Sequence, residues 1–240
     1  MATTENGNDN NKPKNAGAQA GEAVVRNENI RREVRDVVVK ALSQNRLERD
    51  EVRQVIKDTV EGALEQAPEP TKTMAASMQK VADGVEDALA TFAEASRLTA
   101  EEAKGRVDTF TEHDLKRALD DLDGLEDLFS ETLKGLAKTG HETTQTMFKD
   151  LASHTSRTGS DVSASMNDAR EALHNALASA RSPSVSDGRR TAQAGVSGFA
   201  AVMSGILAGM AEGLAPKPVT PDSDVTPEQT AGADQGKKEG

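Results

Sequence analysis

The chain has 240 residues, a formal net charge of −11 and no cysteine, tryptophan or tyrosine. The acidic balance argues against a general nucleic-acid binder, because phosphate contacts need basic patches. The missing cysteines exclude disulfides, thiol catalysis and cysteine-ligated metal. Aromatic residues make up only 2% of the chain, which argues against one large compact core. Ala, Glu, Leu and Lys dominate the central segment and favour helices. We therefore predict an elongated all-α protein, a helical hairpin or bundle with long amphipathic helices and disordered tails.

The first part of the chain predicts a polar tail followed by a helical hairpin. Residues 1–21 are rich in Asn, Gly and Lys without apolar periodicity, which indicates disorder. They also lack the apolar core of a signal peptide, so a cytoplasmic location is expected. Residues 22–67 carry apolar positions at helical spacing in two runs, the first ending near Ser43, and these predict an antiparallel hairpin. Pro68 ends it, since proline cannot donate to a helix.

Residues 68–181 predict long amphipathic helices. One begins near Thr71 and either continues to Val107 or restarts at Leu98. The strongest start signal comes next: Thr111 can cap a helix whose third residue, Asp114, can bond back to the cap.

A leucine-rich stripe follows that start and weakens after Gly140 before it recovers near Leu173. A single helix from residue 111 to 181 would be about 105 Å long. We expect a bend near Gly140 or Gly159, with an unbroken rod as the alternative.

Residues 182–190 predict a linker, 191–215 an apolar Gly-rich helix, and 216–240 a disordered, acidic, Pro-containing tail. From Thr191 to Ala211 there is no charge, although 29% of the chain is charged. Bulky residues form one stripe of this helix and glycines lie beside it at four-residue spacing, as in a glycine zipper or coiled coil. Each glycine costs about 1 kcal/mol in a helix interior, so close approach of another helix is the expected gain. The predicted interaction site is Val196, Phe199, Met203, Gly205, Ile206, Gly209, Met210, Gly213 and Leu214.

The remaining candidates for chemistry have ordinary structural explanations. Asp120, Asp123 and Asp127 share a helical face, but acidic runs opposite a leucine stripe are usually solvated surface. His141-Glu142 begins a zinc-protease pattern whose second histidine is missing. No catalytic motif is present, so we expect no enzymatic activity, cofactor, metal or small-molecule substrate.

Several segments resemble an uncharacterised bacterial family of Ala-rich helical proteins. They are Ile30-Arg-Arg-Glu-Val34, Lys40-Ala-Leu42, Val60-Glu-Gly-Ala63 and Asp114-Leu-Lys-Arg-Ala-Leu119 through Leu136. The likeness runs from about Ile30 through the Gly-rich helix and brings no known activity. By composition alone the chain is also similar to phasins, helical proteins that coat polyhydroxyalkanoate granules.

These patterns favour a non-enzymatic interaction protein that self-associates, binds a helical protein or coats an apolar surface, with phasin-like granule association as the sharpest form. One alternative is an adaptor anchored to the inner membrane through residues 191–214, whose charge-free run has the length of a bilayer core. A second is an acidic regulator whose 22–67 hairpin contacts nucleic acid.

Overall fold

The computed structural model describes residues 16–44, 49–67, 71–105, 110–139, 142–158, 160–181 and 198–214. Within these ranges the chain forms α-helices and no strand, which confirms the predicted all-α class. The helices are α1 (Ala16–Arg26), α2 (Ile30–Gln44), α3 (Arg49–Glu65), α4 (Thr71–Gly105), α5 (Glu112–Asp123), α6 (Leu125–Thr139), α7 (Glu142–Thr158), α8 (Ser160–Ala180) and α9 (Gly198–Leu214). The predicted linker, the C-terminal tail and residues 1–15 of the predicted N-terminal tail lie outside the described residues.

Helix α4 is the central element of the bundle. It contains 35 residues, about 52 Å of helix, and α2, α8 and α9 all pack along it. The restart proposed at Leu98 is wrong, because the helix is continuous there. The buried Ser96 and Thr99 hydroxyls donate to the carbonyls of Phe92 and Ala95, so they stay satisfied inside the helix.

The N-terminal boundary differs from the prediction. Residues 16–21 were expected to be disordered, but they form the first half of α1. The single helix expected from residue 22 to Ser43 is broken at Asn27, whose φ of 54° is left-handed. Asn27 N–H donates to the Ala23 carbonyl at 3.1 Å and so closes α1. Asparagine tolerates this conformation better than most residues, which explains the break.

Glycines at the α1–α3 crossing explain why this short helix is held. Gly17, Gly21 and Gly62 meet there, and a Cβ on Gly17 would lie 2.5 Å from the Asp58 carbonyl oxygen. Helix α3 therefore packs chiefly on α1 and only to a lesser extent on α2. The predicted hairpin of α2 with α3 is therefore wrong as the main pairing of α3. The main partner is α1, whose first residues lie in the segment that the sequence predicts to be a disordered tail.

Helix α2 packs instead on α4, again at a glycine. A Cβ on Gly84 would lie 2.5 Å from the Arg31 carbonyl oxygen, so glycine allows the two helices to approach closely. One turn further along α4, Asp87 accepts two hydrogen bonds from the Arg31 guanidinium, at 2.7 and 2.8 Å. These bonds raise the pKa of Arg31 above its usual value.

The described residues between 111 and 181 form four helices, α5 to α8, and not one rod. The predicted capping box is confirmed, since Asp114 N–H donates to Thr111 Oγ1 and Thr111 N–H to Asp114 Oδ2. Helices α6 and α7 pack side by side, so the chain reverses between Thr139 and Glu142, as one alternative predicted. Gly140 and Gly159 themselves lie outside the described residues. The sequence did not predict the interruption at Gly124, which separates α5 from α6. The Arg49 side chain lies against the Gly124 backbone, in the place that a Cβ would occupy.

Two ion pairs fix α5 antiparallel to α8. Glu112, at the start of α5, accepts from Arg181 at 2.8 Å, and Asp123, at its end, accepts from Arg170 at 2.6 Å. The predicted leucine stripe is largely buried, by α8 along α5 and chiefly by α7 along α6. Its fully covered members are Leu115, Leu122, Leu125, Phe129, Leu133 and Leu136.

Candidate interaction surface on the C-terminal helix

The inner face of α9 is held against the bundle. Helix α9 packs chiefly on α2 and α4, with a smaller contact to α5. Phe199, Met203 and Leu207 follow one another at four-residue spacing and are 5%, 2% and 0% exposed. This spacing is the period of one helix face. The inner face of α9 is therefore part of the core of the chain.

Two polar contacts fix the position of α9 along its neighbours. Ser204 Oγ donates to the Ser43 carbonyl oxygen at the end of α2, at 2.5 Å. Ser96 Oγ of α4 lies 3.5 Å from Met203 Sδ. These contacts place the middle of α9 beside the C-terminal end of α2 and the C-terminal half of α4.

The outer face of α9 carries mostly small side chains and almost no charge. Its exposed positions include Ala201, Gly205, Ala208, Gly209 and Gly213. A Cβ built on any of the three glycines would meet no atom of the described residues within 4 Å. The only charged residue of the helix is the exposed Glu212. We call this surface the small-residue face.

The predicted site residues therefore divide between two faces. Phe199 and Met203 are buried in the bundle, whereas Ile206 and Met210 are half-buried at its edge. Gly205, Gly209 and Gly213 point outward, so the expected close approach at the glycines is not made by another described part of this chain. Contact with a second copy or another partner stays a prediction. Val196 lies outside the described residues, and Leu214 is the last residue of α9.

One functional position on the inner face was missed. Leu207 is fully buried, whereas the neighbouring Ile206, which the predicted stripe contained, is only partly so. The signal was present in the four-residue spacing of Phe199, Met203 and Leu207. A buried face that passes through Ile206, at steps of three and four residues, fits the sequence equally well. Only the packing of α9 against α2 and α4 shows that Leu207, and not Ile206, is the fully buried residue.

The other candidates lie apart from α9. Asp120, Asp123 and Asp127 are exposed, as predicted for a solvated acidic face, and His113 is exposed too. In the described ranges no cluster of three or more acidic or histidine side chains is arranged to hold a metal ion. The partial zinc-protease pattern at His141 falls outside the described residues. None of the helices in these ranges is both long and apolar enough to cross a membrane.

Comparison with known proteins gives a family without a known activity. The model of a family of unknown function, DUF6781, matches residues 6–216. Neither a curated protein nor a solved structure matches the chain. The predicted resemblance to an uncharacterised helical family is thereby confirmed, whereas the likeness to phasins remains one of composition.

Proposed function

The chain belongs to DUF6781, a family of unknown function, and we propose that it is a non-enzymatic interaction protein that self-associates through the small-residue face of α9. The observation that carries this proposal is the orientation of the helix. Its bulky side chains anchor it to the bundle, and its glycines face open space. A second copy of α9 would lie against this face with its backbone close to the first.

The energetics of glycine support a partner at this face. Each helical glycine costs about 1 kcal/mol relative to alanine, so Gly205, Gly209 and Gly213 need an offsetting contact. Where glycines cluster elsewhere in this chain, at the crossing of Gly17 with Gly62, they allow direct contact between backbones. No described helix of this chain supplies such a backbone at the glycines of α9, and we assign that role to a second copy.

The charge distribution also favours α9 as the contact between copies. A chain with a net charge of −11 repels a second copy over most of its surface. The small-residue face carries only Glu212 at its C-terminal end. Two copies can therefore meet there with little charge repulsion.

Coating of a granule or membrane is supported less well. Among the described residues Val25 is the one exposed large hydrophobic side chain. Binding an apolar surface would therefore require α9 to leave the bundle and present Phe199, Met203 and Leu207. Self-association leaves that core intact, and we prefer it for this reason.

Nucleic-acid binding by the N-terminal helices is also supported less well, because their arginines are engaged with carboxylates. Arg26 bonds Glu33, Arg31 bonds Asp87, and Arg35 bonds Asp36. Binding phosphates would require these ion pairs to break.

A cysteine cross-linking experiment tests the proposal, because the chain has no cysteine of its own. Ala201→Cys and Ala208→Cys place a thiol on the small-residue face, and Ala178→Cys places one at an exposed position of α8 as a matched control. A disulfide needs Cα atoms within about 7 Å, so it reports close helix approach. We expect a covalent dimer from at least one α9 variant and none from Ala178→Cys. Equal yields from all three variants would contradict the proposal.

A further inference from the structure

A groove with a volume of about 650 Å³ lies between α1 and α3, away from the proposed self-association surface. Gly17 and Gly62, which cross at close contact, are both part of its lining. Side chains further along the two helices form the walls.

The walls of the groove are strongly acidic. Glu22 lies on the α1 side, and Asp58, Glu61 and Glu65 lie on the α3 side, whereas Arg26 is the only cationic residue among the described residues of the lining. Four carboxylates around one concave surface produce a negative potential that attracts cations and repels a second copy of this acidic chain. This charge pattern argues that the occupant is a basic partner.

Arg26 neutralises these carboxylates only in part, because its closest partner, Glu33, lies outside the groove. Its guanidinium donates two hydrogen bonds to Glu33, at 2.5 and 3.2 Å, and Glu33 is outside the lining. The hydrogen bond to Glu33 raises the pKa of Arg26. Arg26 also pairs with Glu22 at 3.8 Å, and Lys57 pairs with Glu61 at 3.8 Å, so these two exposed carboxylates are neutralised in part, by pairs that water weakens.

The rim of the groove also carries an apolar contact point. Val25 is 65% exposed, although Ala23 and Val24 beside it are buried. A single exposed apolar side chain is common on protein surfaces. Here, however, it lines the same concavity as the four carboxylates. A partner that brings both cationic and apolar side chains would match both features.

We propose that the groove between α1 and α3 binds a basic peptide segment of a partner protein, with Lys or Arg side chains on Asp58, Glu61 and Glu65 and an apolar side chain on Val25. This inference is independent of the self-association of α9, since it uses other helices and a partner of opposite charge.

Fluorescence anisotropy with two labelled synthetic peptides tests the proposal on the full chain. One peptide alternates Lys and Leu, and the other replaces each Leu with Ser. The groove variant is Glu61→Gln with Glu65→Gln, and its matched control is Asp168→Asn with Glu171→Gln at exposed positions of α8. Both variants remove two negative charges with almost no change in side-chain size. Comparing them therefore separates the effect of charge in the groove from the effect of the net charge of the chain.

We expect the Lys-Leu peptide to bind the wild type, and the groove variant to weaken binding at least about threefold. The α8 control should stay close to wild type. Val25→Ser should weaken binding of the Lys-Leu peptide but not of the Lys-Ser peptide. The proposal is overturned if the wild type does not bind, if both double variants weaken binding equally, or if Val25→Ser affects the two peptides alike.

Discussion

Gly62 of α3 rests directly on Gly17 of α1, so that a Cβ on Gly62 would lie 2.5 Å from the Gly17 Cα. Gly209 of α9 has the opposite surroundings, since no atom in the described part of the chain lies within 4 Å of the place where its Cβ would be. One chain therefore contains glycines that already contact a backbone and glycines that face open space. This contrast gives opposite expectations for the same substitution.

Gly62→Ala should destabilise the protein by about 1–3 kcal/mol, because the new methyl group meets backbone atoms that cannot rotate away. Gly135→Ala is the matched control, since Gly135 is also helical but has no neighbour within 4 Å of its Cβ position. The control should gain up to about 1 kcal/mol from helix propensity. Urea unfolding followed by circular dichroism measures both changes. Similar gains for both variants would show that α1 does not press against α3.

The ion pair between Glu112 and Arg181 should be visible in the titration of the carboxylate. Hydrogen bonds from Arg181 and then Lys116 hold the pKa of Glu112 below its ordinary value of 4.5. Because the folded pKa is the lower one, the pair's contribution to stability is present above the unfolded pKa and is lost as the pH falls through the folded pKa. The affected window therefore lies at and below about pH 4.5.

Arg181→Gln should raise the pKa of Glu112 toward its ordinary value, as measured by NMR titration of the side-chain carboxyl. Arg157→Gln is the control, because Arg157 bonds a carbonyl within its own helix, that of Ser153. An unchanged pKa in Arg181→Gln would mean that α5 and α8 are not held in this register.

Leu207→Ala should loosen α9 more than Ile206→Ala, although the two residues are adjacent. Leu207 is 0% exposed, and removing a buried leucine costs about 2–5 kcal/mol. Ile206 is half-buried, so its truncation removes less apolar contact. Amide hydrogen exchange across residues 198–214 should speed up strongly in the first variant and modestly in the second. The reverse order would mean that α9 is rotated from the orientation described.

Local features of this fold were predictable from the sequence. The capping box of Thr111 and Asp114 joins residues three apart, so the sequence contains both partners. The burial of Leu115, Leu122 and Phe129 follows from helical periodicity alone. In such places a single helix determines the outcome.

Features that depend on distant residues were not predictable. Residues 16–21 have no large apolar side chain, and the close packing of α1 on α3 depends on Gly17 meeting Gly62 in another helix. The break at Gly124 likewise lies against the Arg49 side chain from α3. The sequence of α9 indicated an apolar helix. Whether its glycines face the bundle or the outside depends on which face of α9 packs against α2 and α4.

Sedimentation velocity over a range of concentrations tests the central claim, self-association through α9, most directly. The wild type should associate as its concentration rises, and Gly209→Leu should weaken that association by about 1–3 kcal/mol, roughly 5- to 150-fold. Gly135→Leu, at an equally open helical glycine of α6, should associate like the wild type. A wild type that stays monomeric at every concentration, or a Gly209→Leu profile identical to it, would contradict the account.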